Sequence, residues 1–156
     1  MSNVTSVVIG GIGGQGVLKA SAILSEAVFR AGYDVKQSEV HGMSQRGGSV
    51  ISEVRFGDEV FSPMAPVGGA DYLVILQDDQ VETNRHLLKD DGVLIVPEEV
   101  DIKSLPDRRA LNVALIALLA KRLEIDEPTW IEALRASLPS KVQAMNEGVF
   151  REYYEG

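Results

Sequence analysis

Apolar residues along the chain alternate between continuous runs and a helical spacing, and that alternation predicts most of the elements. Residues 4–10 hold the run Val7-Val8-Ile9, which reads as a buried first strand. Residues 16–31 follow as a helix, with Val17, Ala20, Leu24, Ala27, Val28 and Ala31 on one face and Gly32 placed to cap its end. A weaker strand is expected over residues 33–40. Residues 49–56 alternate cleanly, with Val50, Ser52, Val54 and Phe56 on one face and Ile51, Glu53 and Arg55 on the other. Gly57-Asp58 then predicts a turn into Val60-Phe61, making an antiparallel hairpin over 49–62. Residues 72–76 are apolar almost throughout, the pattern of a strand buried on both faces.

A polar helix is expected over residues 79–88, then a turn at Asp90-Asp91-Gly92 and a buried strand over 93–96 stopped by Pro97. Residues 98–108 read as loop, with a short edge strand as the alternative, and helices follow over 110–123, 128–137 and 140–153, with Pro128 at a helix start and Pro139 separating the last two. The predicted fold is α/β: a three-layer α/β/α arrangement with a Rossmann-like, mostly parallel sheet, an antiparallel hairpin and a helical C-terminal third. At 156 residues, with no repeat or linker, a single domain over 1–156 is expected.

Charge narrows the function classes. Fifteen Lys and Arg against 23 Asp and Glu give a net charge of −8, and no basic block occurs, so nucleic acid and anionic membranes are poor partners. No cysteine is present, which removes a thiolate nucleophile, a disulfide and a cysteine-ligated iron–sulfur cluster from these residues. The most apolar stretch, residues 111–120, is about half the roughly 20 residues a spanning helix needs. The expectation is a soluble, cytoplasmic protein.

Two glycine-bearing stretches carry the candidate chemistry. Gly11-x-Gly13-x-x-Gly16 follows a strand and opens a helix, an order in which backbone N–H groups meet an anion at a helix N-terminus. Glu39 stands about where an acidic ribose partner belongs in a dinucleotide site. Read from residues alone, the turn has three roles open: tight helix–strand packing, a phosphate-bearing ligand, or an inter-subunit contact. The second stretch, residues 39–48, sets Arg46 before Gly47-Gly48 and crowds His41, Ser44 and Gln45 into one turn. A guanidinium there offers a planar fork for a phosphate, a carboxylate or an internal partner such as Glu39. The histidines lack metal-ligand spacing, so no dedicated metal site is expected. The candidate binding set is therefore Gly11, Gly13, Gly14, Gln15, Gly16, Glu39, Ser44, Arg46, Gly47 and Gly48, with no catalytic residue.

Gly11-Ile12-Gly13-Gly14-Gln15-Gly16-Val17 and the run from Glu39 to Val50 together resemble the gamma-type subunit of the 2-oxoacid:ferredoxin oxidoreductases. The form His41-Gly42-Met43-Ser44-Gln45-Arg46-Gly47-Gly48 looks most like the indolepyruvate branch, subunit beta. Phe61-Ser62-Pro63, Ala70-Asp71, the residues 89–93, Asn112 and Asn146 extend the resemblance along most of the chain. Gln77 and Gln80 depart from it, standing where that branch tends to carry acidic residues. The resemblance implies an α/β domain in a complex that oxidatively decarboxylates a 2-oxoacid to an acyl-CoA and passes electrons to ferredoxin. It implies thiamine diphosphate and iron–sulfur clusters on partner subunits, coenzyme A nearby, no cofactor held by this chain alone, and ferredoxin as an indirect partner; a homodimer is compatible with it. The competing expectation is a stand-alone Rossmann-type nucleotide- or CoA-binding protein.

Overall fold

The computed structural model describes residues 4–41 and 48–156, the side chain of His41 excepted. Five strands form one mixed sheet in the order β2-β3-β1-β4-β5: β1 (Thr5–Ile12), β2 (Asp34–His41), β3 (Ser49–Gly57), β4 (Ala70–Ile75) and β5 (Leu88–Ile95). β1 pairs in parallel with β4, and β4 with β5, while β3 runs antiparallel to both β1 and β2. Four strands thus point one way and β3 alone is reversed, which fits the mostly parallel sheet expected.

The helices sit mainly on one face. α1 (Val17–Arg30), α3 (Leu111–Ala120), α4 (Glu127–Ser137) and α5 (Ser140–Glu155) share a core with Val7, Ile9, Val54, Phe56, Val74 and Ile95. α3 explains why the sequence there is apolar all round: α1 and the sheet flank it and α5 closes over it, so residues 112–117 are buried on every side. Leu115, Ile116 and Leu119 are each fully buried, contributing about 1.5–3 kcal/mol apiece. Trp130, Phe150 and Tyr154 stack in a row at the α4–α5 junction. The opposite face carries a smaller core, Val8, Leu73, Ile75 and Val96, covered by the short α2 (Val81–Asn84) and its flanking 3₁₀ turns.

Four local expectations are corrected. The hairpin partner of β3 is β2, in register from Asp34↔Gly57 to His41↔Val50, whereas residues 58–69 form a loop across the helix-poor face. Val60 is drawn down not by strand pairing but by its N–H donating to Asp34 Oδ2 at 2.8 Å. The polar helix is broken into a 3₁₀ turn, one turn of α-helix and another 3₁₀ turn. Asp90-Asp91-Gly92 lies inside β5, where the register with β4 shifts between Ala70 and Tyr72, and Lys89 beside it holds Asp71 at 2.6 Å. Residues 98–108, expected as loop, carry 3₁₀ turns at Pro97–Glu99, Ile102–Ser104 and Arg108–Ala110.

Candidate functional site

The site grows from the end of β1, where Gly11, Gly14 and Gly16 are required by close approach, by a positive φ, or by both. A Cβ on Gly11 would lie 2.8 Å from Gln15 Oε1 and 2.9 Å from Val17 Cγ2, so the strand and helix meet too closely for a side chain. Gly14 and Gly16 adopt φ of +88° and +87°, the left-handed region in which an L side chain is strained. At Gly16 both constraints act, since a Cβ there would reach Asn112 Nδ2 at 2.5 Å. Asn112 is itself buried on α3 and donates to the Gly16 carbonyl at 3.2 Å, locking the turn to a helix 96 residues away.

Gln15 fastens the other side. Its Oε1 accepts from Ile12 N at 2.8 Å, and its Nε2 donates to Gln77 Oε1 at 2.6 Å at the end of β4. Gln77 is thus the partner that orients Gln15. Both ends of this side chain are engaged within the protein, so its role at the site is to hold the turn.

α1 begins at Gly16 without a side-chain cap and without an acidic residue in its first turn. Its first N–H groups keep their partial positive charge. The turn and its N-cap Gly16 border a cavity of about 310 Å³ lined by Gly14, Gly16, Leu76, Arg108, Arg109 and Asn112, among others, while the first helical residues Val17, Leu18 and Lys19 line a second cavity. Arg109 is clamped by Asp107, Nη2 to Oδ2 at 2.8 Å and Nε to Oδ1 at 3.2 Å, and this pairing holds the Asp107 carboxyl down at about 2. Arg108 is exposed and has no hydrogen-bond or ion-pair partner among the described residues. A mixed lining of this kind, with the glycine turn, two guanidinium groups and the apolar Leu76, Ile102 and Leu111, suits a phosphate joined to an apolar body. The second cavity, of about 330 Å³, opens on the other side of the turn, between Gly13, Leu18, Lys19 and Val50.

The structure brings together only part of the set expected from sequence. Gly11, Gly13, Gly14, Gln15 and Gly16 form the turn, and Gly48 joins them, its carbonyl accepting from Gly13 N at 3.2 Å. The end of the second glycine stretch therefore does meet the first at one edge. Ser44, Arg46 and Gly47 lie outside the described residues. Glu39 is not brought to the turn. It pairs with Ser52, which pairs with Ile9, so it sits two strands from β1, about 10 Å, and level with the strand interior. The insertion of β3 between β1 and β2 is the cause. Arg108, Arg109 and Leu111 were missed as site residues; the adjacent arginines just before an apolar helix were the available signal. Among the described residues no group of His, Asp and Glu is arranged to hold a metal, and no helix is long and apolar enough to cross a membrane.

With this geometry in view, the chain matches the family model for pyruvate ferredoxin/flavodoxin oxidoreductase over residues 6–109. It is 52% identical over 91 residues to the indolepyruvate oxidoreductase subunit IorB of Pyrococcus horikoshii, covering 57% of this chain and 44% of that one. It therefore spans less than half the length of that relative. The gamma subunit of a keto/oxoacid ferredoxin oxidoreductase from Geobacter sulfurreducens has the same fold, with a TM-score of 0.81 at 19% identity over 99% of this chain and 96% of the other. A 2-oxoglutarate:ferredoxin oxidoreductase from Magnetococcus marinus, solved with 2-oxoglutarate, coenzyme A and succinyl-CoA bound, matches at a TM-score of 0.83 and 18% identity. There the likeness covers 99% of this chain and 31% of the longer one.

Proposed function

Because the chain belongs to the pyruvate ferredoxin/flavodoxin oxidoreductase family, we propose that it is a subunit of a 2-oxoacid:ferredoxin oxidoreductase complex. The complex oxidatively decarboxylates a 2-oxoacid, such as indolepyruvate, to an acyl-CoA and carbon dioxide, and the two electrons released pass to ferredoxin. The names of the relatives support this class. Thiamine diphosphate would supply the electron sink for decarboxylation and iron–sulfur clusters would supply the electron path. Both belong to partner subunits in this reading, since these 156 residues offer no thiolate for a cluster.

This chain contributes a wall that binds and orients. The Arg108 guanidinium binds a phosphate of coenzyme A against the glycine turn, Arg109 being held in place by Asp107. Leu76, Ile102 and Leu111 exclude water beside it. Gln15 and Asn112 keep the turn rigid so that its N–H groups need no reorganisation on binding. The observation carrying this reading is the arginine-bearing cavity opening on the glycine turn that leads into α1. A stand-alone dinucleotide site is not favoured, because β3 removes Glu39 from the position a ribose partner needs.

Reconstitution tests the proposal. The purified chain alone is expected to show no 2-oxoacid oxidation, and activity with ferredoxin is expected when the thiamine-diphosphate and iron–sulfur subunits are supplied. Robust turnover by the chain alone would falsify the assignment.

A further inference from the structure

Six large apolar side chains are exposed among the described residues, and four of them fall on one face of the sheet: Val40 at 51%, Phe61 at 84%, Met64 at 53% and Val67 at 75%. This is the face without long helices. Val40 pairs with Ile51 there, and residues 58–69 lie across it. An unsupported loop with this content would fold its apolar side chains inward. Instead polar side chains from both strands grip its backbone. Asp34 accepts from Val60 N at 2.8 Å and Glu53 from Ala65 N at 2.9 Å, while Arg55 donates to the Ser62 carbonyl at 2.8 Å and Ser38 to that of Pro63 at 3.3 Å. Glu53 is held there although it is almost fully buried. The loop is fastened so that Phe61, Met64 and Val67 stand in water.

We infer that this loop, with Val40 beside it, is a protein-docking platform for a partner that is apolar at its centre and basic at its rim. The rim charge chooses the occupant. Asp58 and Glu59 are exposed at the start of the loop and have no ion-pair partner among the described residues. Arg55 is spent on the Ser62 carbonyl and Ser6 Oγ. Lys36 is the remaining cation on that face of β2. Two copies of this chain, each carrying −8, would bring Asp58 and Glu59 against an acidic surface, whereas Lys or Arg on a different protein would pair with them. The partner in question is another subunit of the complex, so the inference rests on the proposed function and names a second face of this chain that the complex uses, distinct from the glycine turn.

The test uses the complex isolated by co-expression with the thiamine-diphosphate subunit. Zero-length carbodiimide coupling is expected to join Asp58 or Glu59 to lysines of another subunit. The triple variant Phe61→Ser, Met64→Gln, Val67→Ser changes exposed positions only. It is expected to fold with an unchanged circular dichroism spectrum and to associate about 100-fold more weakly, and Asp58→Lys with Glu59→Lys is expected to slow association about tenfold at low salt. Cross-links joining two copies of this chain, or a triple variant that associates within about twofold of the unaltered protein, would overturn the inference while leaving the proposed function standing. Failure of the unaltered chain to associate at all would overturn both.

Discussion

Replacing Gly16 with alanine should damage this protein more than the same change at other glycines of like backbone conformation. Gly14, Gly16 and Gly32 have φ of +88°, +87° and +98°, so each Gly→Ala variant carries a left-handed penalty of about 1–2 kcal/mol. For Gly14 and Gly32 the new Cβ meets nothing within 4 Å, and the penalty ends there. At Gly16 the methyl must displace Asn112, a buried side chain whose bond to the Gly16 carbonyl would break. Leaving that amide unpaired adds about 1–3 kcal/mol. At about 2–4 °C per kcal/mol for a domain of this size, Gly16→Ala should melt about 4–20 °C below the unaltered protein. The two controls should fall by about 2–8 °C. Thermal denaturation followed by circular dichroism reads this directly. Asn112→Ala in the Gly16→Ala background should cost less than Asn112→Ala alone, because the clash is relieved. If Gly16→Ala melts within about 2 °C of Gly14→Ala, the steric part of the reasoning is refuted.

Two carboxylates give predictions of opposite sign. Glu147, nearly buried on α5, receives two hydrogen bonds from Arg135 of α4 at 2.9 and 3.0 Å, which hold its carboxyl below the ordinary value of 4.5. Its contribution is present above pH 4.5 and disappears as pH falls through the lowered folded value. Glu147→Gln should therefore melt about 2–4 °C lower at pH 7 and match the unaltered protein in strong acid; a gap that persists there contradicts the ion pair. Burial pushes the Glu53 carboxyl above 4.5, against the Ala65 hydrogen bond and the Arg55 charge, so its folded state prefers the proton and loses stability as pH rises through that value. Glu53→Gln keeps an acceptor for Ala65 N. It should be at least as stable as the unaltered protein at pH 7, with the advantage vanishing below pH 4.5, and a variant less stable at pH 7 alone would sink this.

The first strand, the glycine turn and α1 were legible because an apolar run, a glycine cluster and a helical spacing follow one another without ambiguity, and their interactions are local. β3 was legible as a strand but not as a neighbour. Gly57-Asp58 has the composition of a hairpin turn, yet residues 60–63 make side-chain bonds to Asp34, Ser38 and Arg55 rather than ladder bonds, and nothing in the alternation of 49–56 says that β2 would take the other edge. Glu39 was misplaced by the same insertion. Asp90-Asp91-Gly92 reads as a turn because each residue favours one, and in the structure it lies between the paired Leu88 and Val93, where the ladder with β4 is interrupted. Arg108 and Arg109 gain meaning from the docking of α3 on the turn, a contact across 96 residues that no window of sequence contains.

The glycine edge as a coenzyme A-facing wall is tested most directly by steady-state kinetics of the reconstituted complex with Arg108→Ala. The side chain is exposed and makes no internal bond among the described residues, so the fold should be untouched. Loss of one charge-assisted phosphate contact, about 1.5–3 kcal/mol, should raise the KM for coenzyme A by about 10- to 100-fold, with KM for the 2-oxoacid unchanged and kcat retained. An unaltered KM for coenzyme A would contradict the account.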